Sequence, residues 1–142
     1  MTKRLRFRGY IGTREYGGQR VPHHVQNIVI RDFCQRRDSE YLLSVVEYAM
    51  PGSYIMLEEV FRELYQINGI ALYSIFMLPE DKNRRRSFYK KIIDAKASLH
   101  GALENLTITD KTSMEKVEDI IVVNDVMKKT NPLLLQTIKS KI

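Results

Sequence analysis

The chain has 142 residues, 44% of them apolar and 28% charged, with a net charge of +6. That is the size and makeup of one ordinary globular domain, long enough to bury a core without covalent staples. The single cysteine, Cys34, excludes an internal disulfide and fits a reducing compartment. No apolar run nears the roughly 18 residues of a membrane span, and the basic start has no apolar stretch of signal-peptide type, so a cytoplasmic protein without a membrane partner is expected.

Taken in chain order, strand-like and helix-like segments alternate. Leu5–Ile11 reads as a first strand, followed by a loop over Thr13–Gln19 that holds Gly17-Gly18. Pro22 suits a helix start, and Val25, Ile28, Val29 and Phe33 fall at helical spacing on one face. Tyr41–Val46 reads as a buried strand, ended by Pro51-Gly52, with Ser53 as a cap for the next helix. In that helix Leu57, Val60, Phe61 and Leu64 form the apolar stripe, and Asn68-Gly69 offers a left-handed stop.

Ile70–Leu78 reads as the third strand, closed by Pro79. A helix then begins near Asp81 and buries Phe88, Ile92 and Ala95, and Leu99–Ile108 holds a fourth strand. Thr112-Ser113-Met114-Glu115 has the pattern of a capping box, followed by Val117, Ile120, Ile121 and Met127. Asn131-Pro132 interrupts, leaving Leu133–Ile142 as an amphipathic tail that packs on the domain or on a second subunit. The expectation is an α/β three-layer sandwich: a four-stranded, mainly parallel sheet with helices on both faces, over residues 1–130, and a short helical tail over 131–142.

The charge is uneven. Residues 1–37 hold nine Lys and Arg against Glu15 and Asp32, a net +7, and the rest of the chain sums to −1. Such a segment either meets an anionic ligand or is simply a solvated basic face. Arg84-Arg85-Arg86 opens a helix, where cations oppose the dipole. There they either grip a phosphate or carboxylate, or are neutralised by Glu80 and Asp81.

Ligands of open α/β sheets sit beyond the carboxyl ends of the strands. This rule selects Thr13, Arg14, Arg20 and His23 after strand 1, and Glu47 and Tyr48 after strand 2. It also selects Tyr73 and Ser74 late in strand 3, and His100 and Glu104 along strand 4. A desolvated Glu47 could act as acid or base with His100 and Glu104, or could instead pair with an arginine of the basic segment. Adjacent His23-His24 point about 100° apart on a helix, so no metal site is expected. Without a Walker loop or a G-x-G-x-x-G, no cofactor is expected either. Ser74 lacks the G-x-S-x-G elbow of a hydrolase, and Cys34 suits packing better than attack.

Several segments carry a family resemblance. They are Arg6–Ile11, Arg20–Asn27, Leu43–Met50, Tyr73–Pro79 and Leu99–Glu104. Over most of residues 6–110 the chain resembles sporadic carbohydrate cluster proteins, a bacterial family named for gene clusters that make surface polysaccharides. The resemblance implies a role in making an unusual sugar or glycan. Together with the strand-end residues it suggests an isomerase, epimerase or lyase. In that reading Glu47, His100, Glu104 and Ser74 are catalytic, and Arg14, Arg20, His23, Gln26, Tyr48, Tyr73 and Arg85 bind an anionic sugar or nucleotide sugar. The alternative is a non-catalytic accessory protein that binds a pathway enzyme, and a homo-oligomer is expected in either case.

The order of elements is also similar to the flavodoxin-like catalytic domain of serine resolvases, whose motif after the first strand is Y-x-R-x-S. Tyr10, Gly12 and Arg14 stand at those positions, so its arginine and serine are missing. Strand exchange is disfavoured, and with no recognition motif beside the charge, so is a nucleic-acid partner.

Overall fold

The computed structural model describes residues 4–13, 15, 20–48 and 52–130. Its elements run β1 (Arg6–Gly12), α1 (His23–Arg36), β2 (Glu40–Glu47), α2 (Ile55–Arg62), β3 (Gly69–Leu72), a 3-10 turn (Ile75–Met77), α3 (Lys82–Asp94), β4 (Ser98–Gly101), β5 (Leu106–Ile108) and α4 (Lys111–Thr130). All strands join one sheet in the order β2-β1-β3-β4-β5. β1 to β4 are parallel and β5 is antiparallel to β4.

The α/β class and the mainly parallel sheet are as the pattern predicts, but the sheet has five strands rather than four. Leu99–Ile108 folds as a hairpin because Asn105 turns the chain at φ 57°, a conformation Asn accepts more readily than most residues. The expected third strand is cut short at Leu72. Ser74 and Glu104 capture the next backbone N–H groups, and Ile75–Met77 coil into the 3-10 turn. Both halves of that run are buried, so hydropathy alone gives no boundary.

β2 is an edge strand, not a buried one: Leu43 is 74% exposed. Across from Gly9, Leu43 and Ser44 form a bulge, seen as a register shift between Arg8 and Tyr10. A Cβ on Gly9 would lie 2.1 Å from Ser44 Oγ, so the bulge requires glycine there. Such bulges blunt an edge against pairing with another chain.

The helix faces also shift. α1 buries Gln26, Ile30, Phe33 and Cys34, whereas Val25 and Ile28 are exposed. Phe33 meets His100 with ring centroids 5.1 Å apart, and Phe7 meets His100 at 4.5 Å. α2 buries Leu57, Val60 and Phe61 as expected, and Phe61 stacks on Phe88 of α3 at 4.4 Å. The α2 helix ends at Arg62, and Gly69 belongs to β3 instead of stopping a helix. α3 buries Arg85 and Tyr89 beside Phe88 and Ile92, with Ala95 exposed. In α4, Val117 and Ile121 face inward, while Ile120 and Met127 face out.

Helix starts differ as well. Pro22 stands just before α1. The cap of α4 is Asp110, whose Oδ1 accepts from Ser113 N while Ser113 Oγ accepts from Asp110 N. This is a reciprocal box of the expected kind, two residues earlier in the chain. The tail over 131–142 lies outside the described residues. No helix among the described residues is long and apolar enough to cross a membrane.

Candidate functional site

In this strand order β1 feeds β2 on one side, and β2 crosses back to β3 on the other. The switch between β1 and β3 opens a crevice beyond their carboxyl ends. A cavity of about 440 Å3 lies there, lined by Glu15 after β1, Gly52 and Tyr54 before α2, and Phe76 to Asp81 with Arg84 after β3.

The walls are tied together by buried polar side chains. Gln26 is fully buried: its Oε1 accepts from Gly12 N at 3.1 Å, and its Nε2 donates to Gly12 O and Val21 O, both at 2.8 Å. It thereby fastens both ends of the loop after β1. Glu47 accepts from Tyr10 Oη at 3.0 Å, from Met56 N and from Leu57 N. Its carboxylate caps α2 from the end of β2, the role expected of Ser53, and among the described residues it is paired with no arginine. Arg84 crosses from α3 to α2: it donates to Glu58 at 2.7 Å and to Gly52 O at 3.3 Å, and lies 4.8 Å over the Tyr54 ring.

Behind the crevice, Ser74 Oγ donates to Glu104 Oε2 at 2.6 Å and Ile75 N donates to Oε1 at 2.8 Å. A Cβ on Gly101 would lie 2.8 Å from Ile75 Cβ and 2.9 Å from Glu104 Oε1, so this junction depends on the missing side chain. Tyr73 is buried beside it, and burial, then the Glu104 charge, raise its pKa. Ser74 and Glu104, each selected by the strand-end rule, are thus brought together.

His100 is not part of that assembly. It is buried between Phe7 and Phe33, with Nε2 2.7 Å from Ser98 Oγ and Nδ1 2.9 Å from Thr107 Oγ1. Burial, then the Arg37 charge, push its pKa down to about 3, so the ring is neutral at pH 7. It lines a separate groove with Leu5, Asn68, Lys96 and Thr109, away from the crevice. The three candidate proton-transfer groups therefore occupy separate places: Glu47 under α2, Glu104 on the 3-10 turn, His100 in the other groove.

The arginine triplet points three ways. Arg84 is the clasp just described, Arg86 is exposed, and Arg85 is buried. Arg85 donates to both Glu118 oxygens and to Pro79 O and Glu80 O, and Tyr89 Oη donates to Glu118 at 2.8 Å. Burial opposes the Glu118 charge, but the Arg85 and Tyr89 hydrogen bonds outweigh it and hold its pKa below the usual range. The partners of the triplet are thus Glu58 and Glu118, in place of Glu80 and Asp81.

Of the other expected ligand residues, Arg20 is exposed, His23 is half-buried at the start of α1, and Tyr48 is exposed at the end of β2. Arg14 lies outside the described residues. Much of the basic segment is neutralised locally: Arg4 pairs with Asp38, Arg6 with Glu40, Arg8 with Glu63 and Arg36 with Asp32. Among the described residues no group of His, Cys, Asp and Glu could hold a metal ion.

The crevice residues Tyr54, Phe76, Glu80 and Asp81 were not singled out as ligand-binding by sequence. For Phe76, Glu80 and Asp81 the signal was hidden by reading the third strand through to Leu78. With the strand ended at Leu72, the strand-end rule points to them directly. No protein-family model matches the chain, and no curated protein matches it.

Proposed function

We propose that the chain is a carbohydrate-biosynthesis protein of a bacterial surface-glycan pathway, and that its crevice between β1 and β3 binds a sugar phosphate or nucleotide sugar. The observation that carries this reading is the cavity at the strand switch, walled by Tyr54, Phe76, Pro79 and carboxylates. Aromatic and apolar faces suit the C–H side of a sugar ring, and carboxylates accept from its hydroxyls. The strand order is the flavodoxin-like one, and a three-layer sandwich with α1 on one face and α2 to α4 on the other agrees with it. The anionic end of the ligand would lie toward Arg20 and His23, which follow β1 in the chain.

Within this reading Gln26, Glu47, Ser74 and Glu104 are positioning residues that hold the walls, and Tyr73 and Glu104, behind the crevice, are the groups that could move a proton. An isomerase, epimerase or lyase would use them so. Arg85 and His100 support the fold. A thermal-shift panel of sugar phosphates and of UDP-, CMP- and GDP-sugars tests the proposal. A ligand at 100 times its Kd adds about 2.7 kcal/mol of stability. The expected result is a shift with one sugar class that Tyr54→Ala and Phe76→Ala abolish, and the absence of any shift would refute it.

A second reading has its own observation. Ile120, Val123, Val126 and Met127 on α4 are each 40–57% exposed, an apolar strip suited to a protein partner. It favours a non-catalytic accessory protein that binds a pathway enzyme. Sugar-independent co-purification with such an enzyme, lost in Val123→Asp, is the result that would support it.

A further inference from the structure

The groove at the opposite end of the sheet holds a polar arrangement that the crevice does not use. Its volume is about 530 Å3, and it lies where β1 and β4 begin, with Arg37 just past α1 and Lys96 just past α3. Within it Ser98 Oγ, the buried His100 ring and Thr107 Oγ1 form one hydrogen-bonded row, at 2.7 Å on the Nε2 side and 2.9 Å on the Nδ1 side.

The row holds three protons but only two hydrogen bonds, because a neutral imidazole carries one N–H and each hydroxyl one O–H. With the ring proton on Nε2, Thr107 donates to Nδ1, Nε2 donates to Ser98, and Ser98 has Asn68 O as an acceptor at 3.4 Å. With the ring proton on Nδ1 both bonds reverse, and among the described residues the Thr107 hydroxyl proton has no acceptor. The free protein therefore favours Nε2–H, and an acceptor placed beside Thr107 reverses the row.

The charge beside the row is positive. The Arg37 guanidinium lies 4.4 Å over the Phe33 ring, which is 5.1 Å from the His100 ring, and it donates to Asn105 Oδ1 at 3.0 Å, on the hairpin that carries Thr107. Neither Arg37 nor Lys96 is in an ion pair among the described residues. The lining includes no carboxylate, and the residues outside the described ranges include no Asp or Glu, so no side chain there adds one. The C-termini of α1 and α3 together oppose an anion with about one negative charge, which the two cations outweigh.

We propose that this groove is a second ligand site, for a phosphate group held by Arg37 and by the Thr107 hydroxyl, with Lys96 adding to the attraction. A phosphate has enough acceptor oxygens to take the guanidinium fork and the hydroxyl at once. The site is independent of the crevice. Two exposed cations and one hydroxyl give a Kd on the order of 1 mM, so the groove fills only at millimolar concentrations.

The test is a long-range proton–nitrogen NMR spectrum of the full chain with labelled histidine at pH 7, with sodium phosphate added against sodium chloride of equal ionic strength. The expected result is that the His100 ring proton moves from Nε2 to Nδ1 as phosphate binds. Thr107→Val should leave it on Nε2 with phosphate present. Arg37→Gln should raise the phosphate concentration needed by about tenfold. Circular dichroism of both variants checks their fold. Glucose 1-phosphate acting like phosphate identifies the end of a phosphomonoester, and phosphate acting alone identifies the free ion; either supports the site. A His100 ring that keeps its tautomer at phosphate well above that Kd, or a response that chloride reproduces or that Arg37→Gln leaves unchanged, would overturn the inference.

Discussion

Replacing Arg85 by methionine removes one charge from a buried cluster and leaves the other without its partner. Both side chains are nearly inaccessible, 6% exposed for Arg85 and 7% for Glu118. Every Arg85 contact is made inside the protein, to Glu118, Pro79 O and Glu80 O, and Tyr89 also depends on Glu118. Breaking a buried pair by removing one member costs about 3–5 kcal/mol, because a carboxylate is left buried and uncompensated. In a domain of this size each kcal/mol lowers Tm by about 3–5 °C, so the variant should melt roughly 10–20 °C lower. The double variant Arg85→Met with Glu118→Leu removes both charges and should recover most of that loss, to within about 1–2 kcal/mol of the parent. Urea unfolding of the parent, both singles and the double closes a cycle whose coupling term should be large and favourable. If Arg85→Met costs less than about 1 kcal/mol and the two losses add, Arg85 is not committed to Glu118 and becomes available to a ligand.

His100 should make the protein acid-sensitive. Its folded pKa of about 3 lies below the ordinary value of 6.5, so between those values the unfolded chain binds a proton that the native state refuses. The neutral ring therefore contributes stability that is fully present above pH 6.5 and falls as pH drops toward 3, by about 2 kcal/mol between pH 7 and pH 5. Urea midpoints of the parent and of His100→Gln across that range check it, and the same slope in both would exclude His100 as the cause. Glu47→Ala removes the acceptor that Tyr10 Oη and two N–H groups of α2 share and should cost about 2–4 kcal/mol, with Glu47→Gln milder. Should Glu47→Gln leave stability intact yet abolish an activity, Glu47 would be a catalytic group in place of a helix cap.

The class of fold was legible because its cause is local. Alternating apolar runs and helical stripes separate β1, β2 and β3 from the helices between them, and Leu57, Val60 and Phe61 needed only a period to be assigned. What failed was what distant contacts decide. Nothing near Leu72 in sequence says that Glu104 will bend the next residues into a 3-10 turn. Val25 and Ile28 look as apolar as Phe33, but fully buried Gln26 wins their side of α1 by holding Gly12 and Val21. The candidate site was half legible for the same reason. Ser74 and Glu104 lie thirty residues apart and were both selected by the strand-end rule. His100 met the same rule but its side chain turns into a different groove, because β4 places it over Phe7 and Phe33. The arginine triplet was recognised as unusual, yet its meaning depends on Glu58 and Glu118, which no local pattern connects to it.

The most direct measurement is a two-dimensional amide NMR titration of the full chain with the sugar phosphate that gives the largest thermal shift. The account predicts that the perturbed amides cluster at Glu15, Tyr54, Phe76, Glu80 and Arg84, around one saturable site. Perturbations confined to the groove around Lys96, Ser98 and Thr109, or to Ile120–Met127 of α4, would contradict the claim that the crevice between β1 and β3 is where this protein binds its ligand.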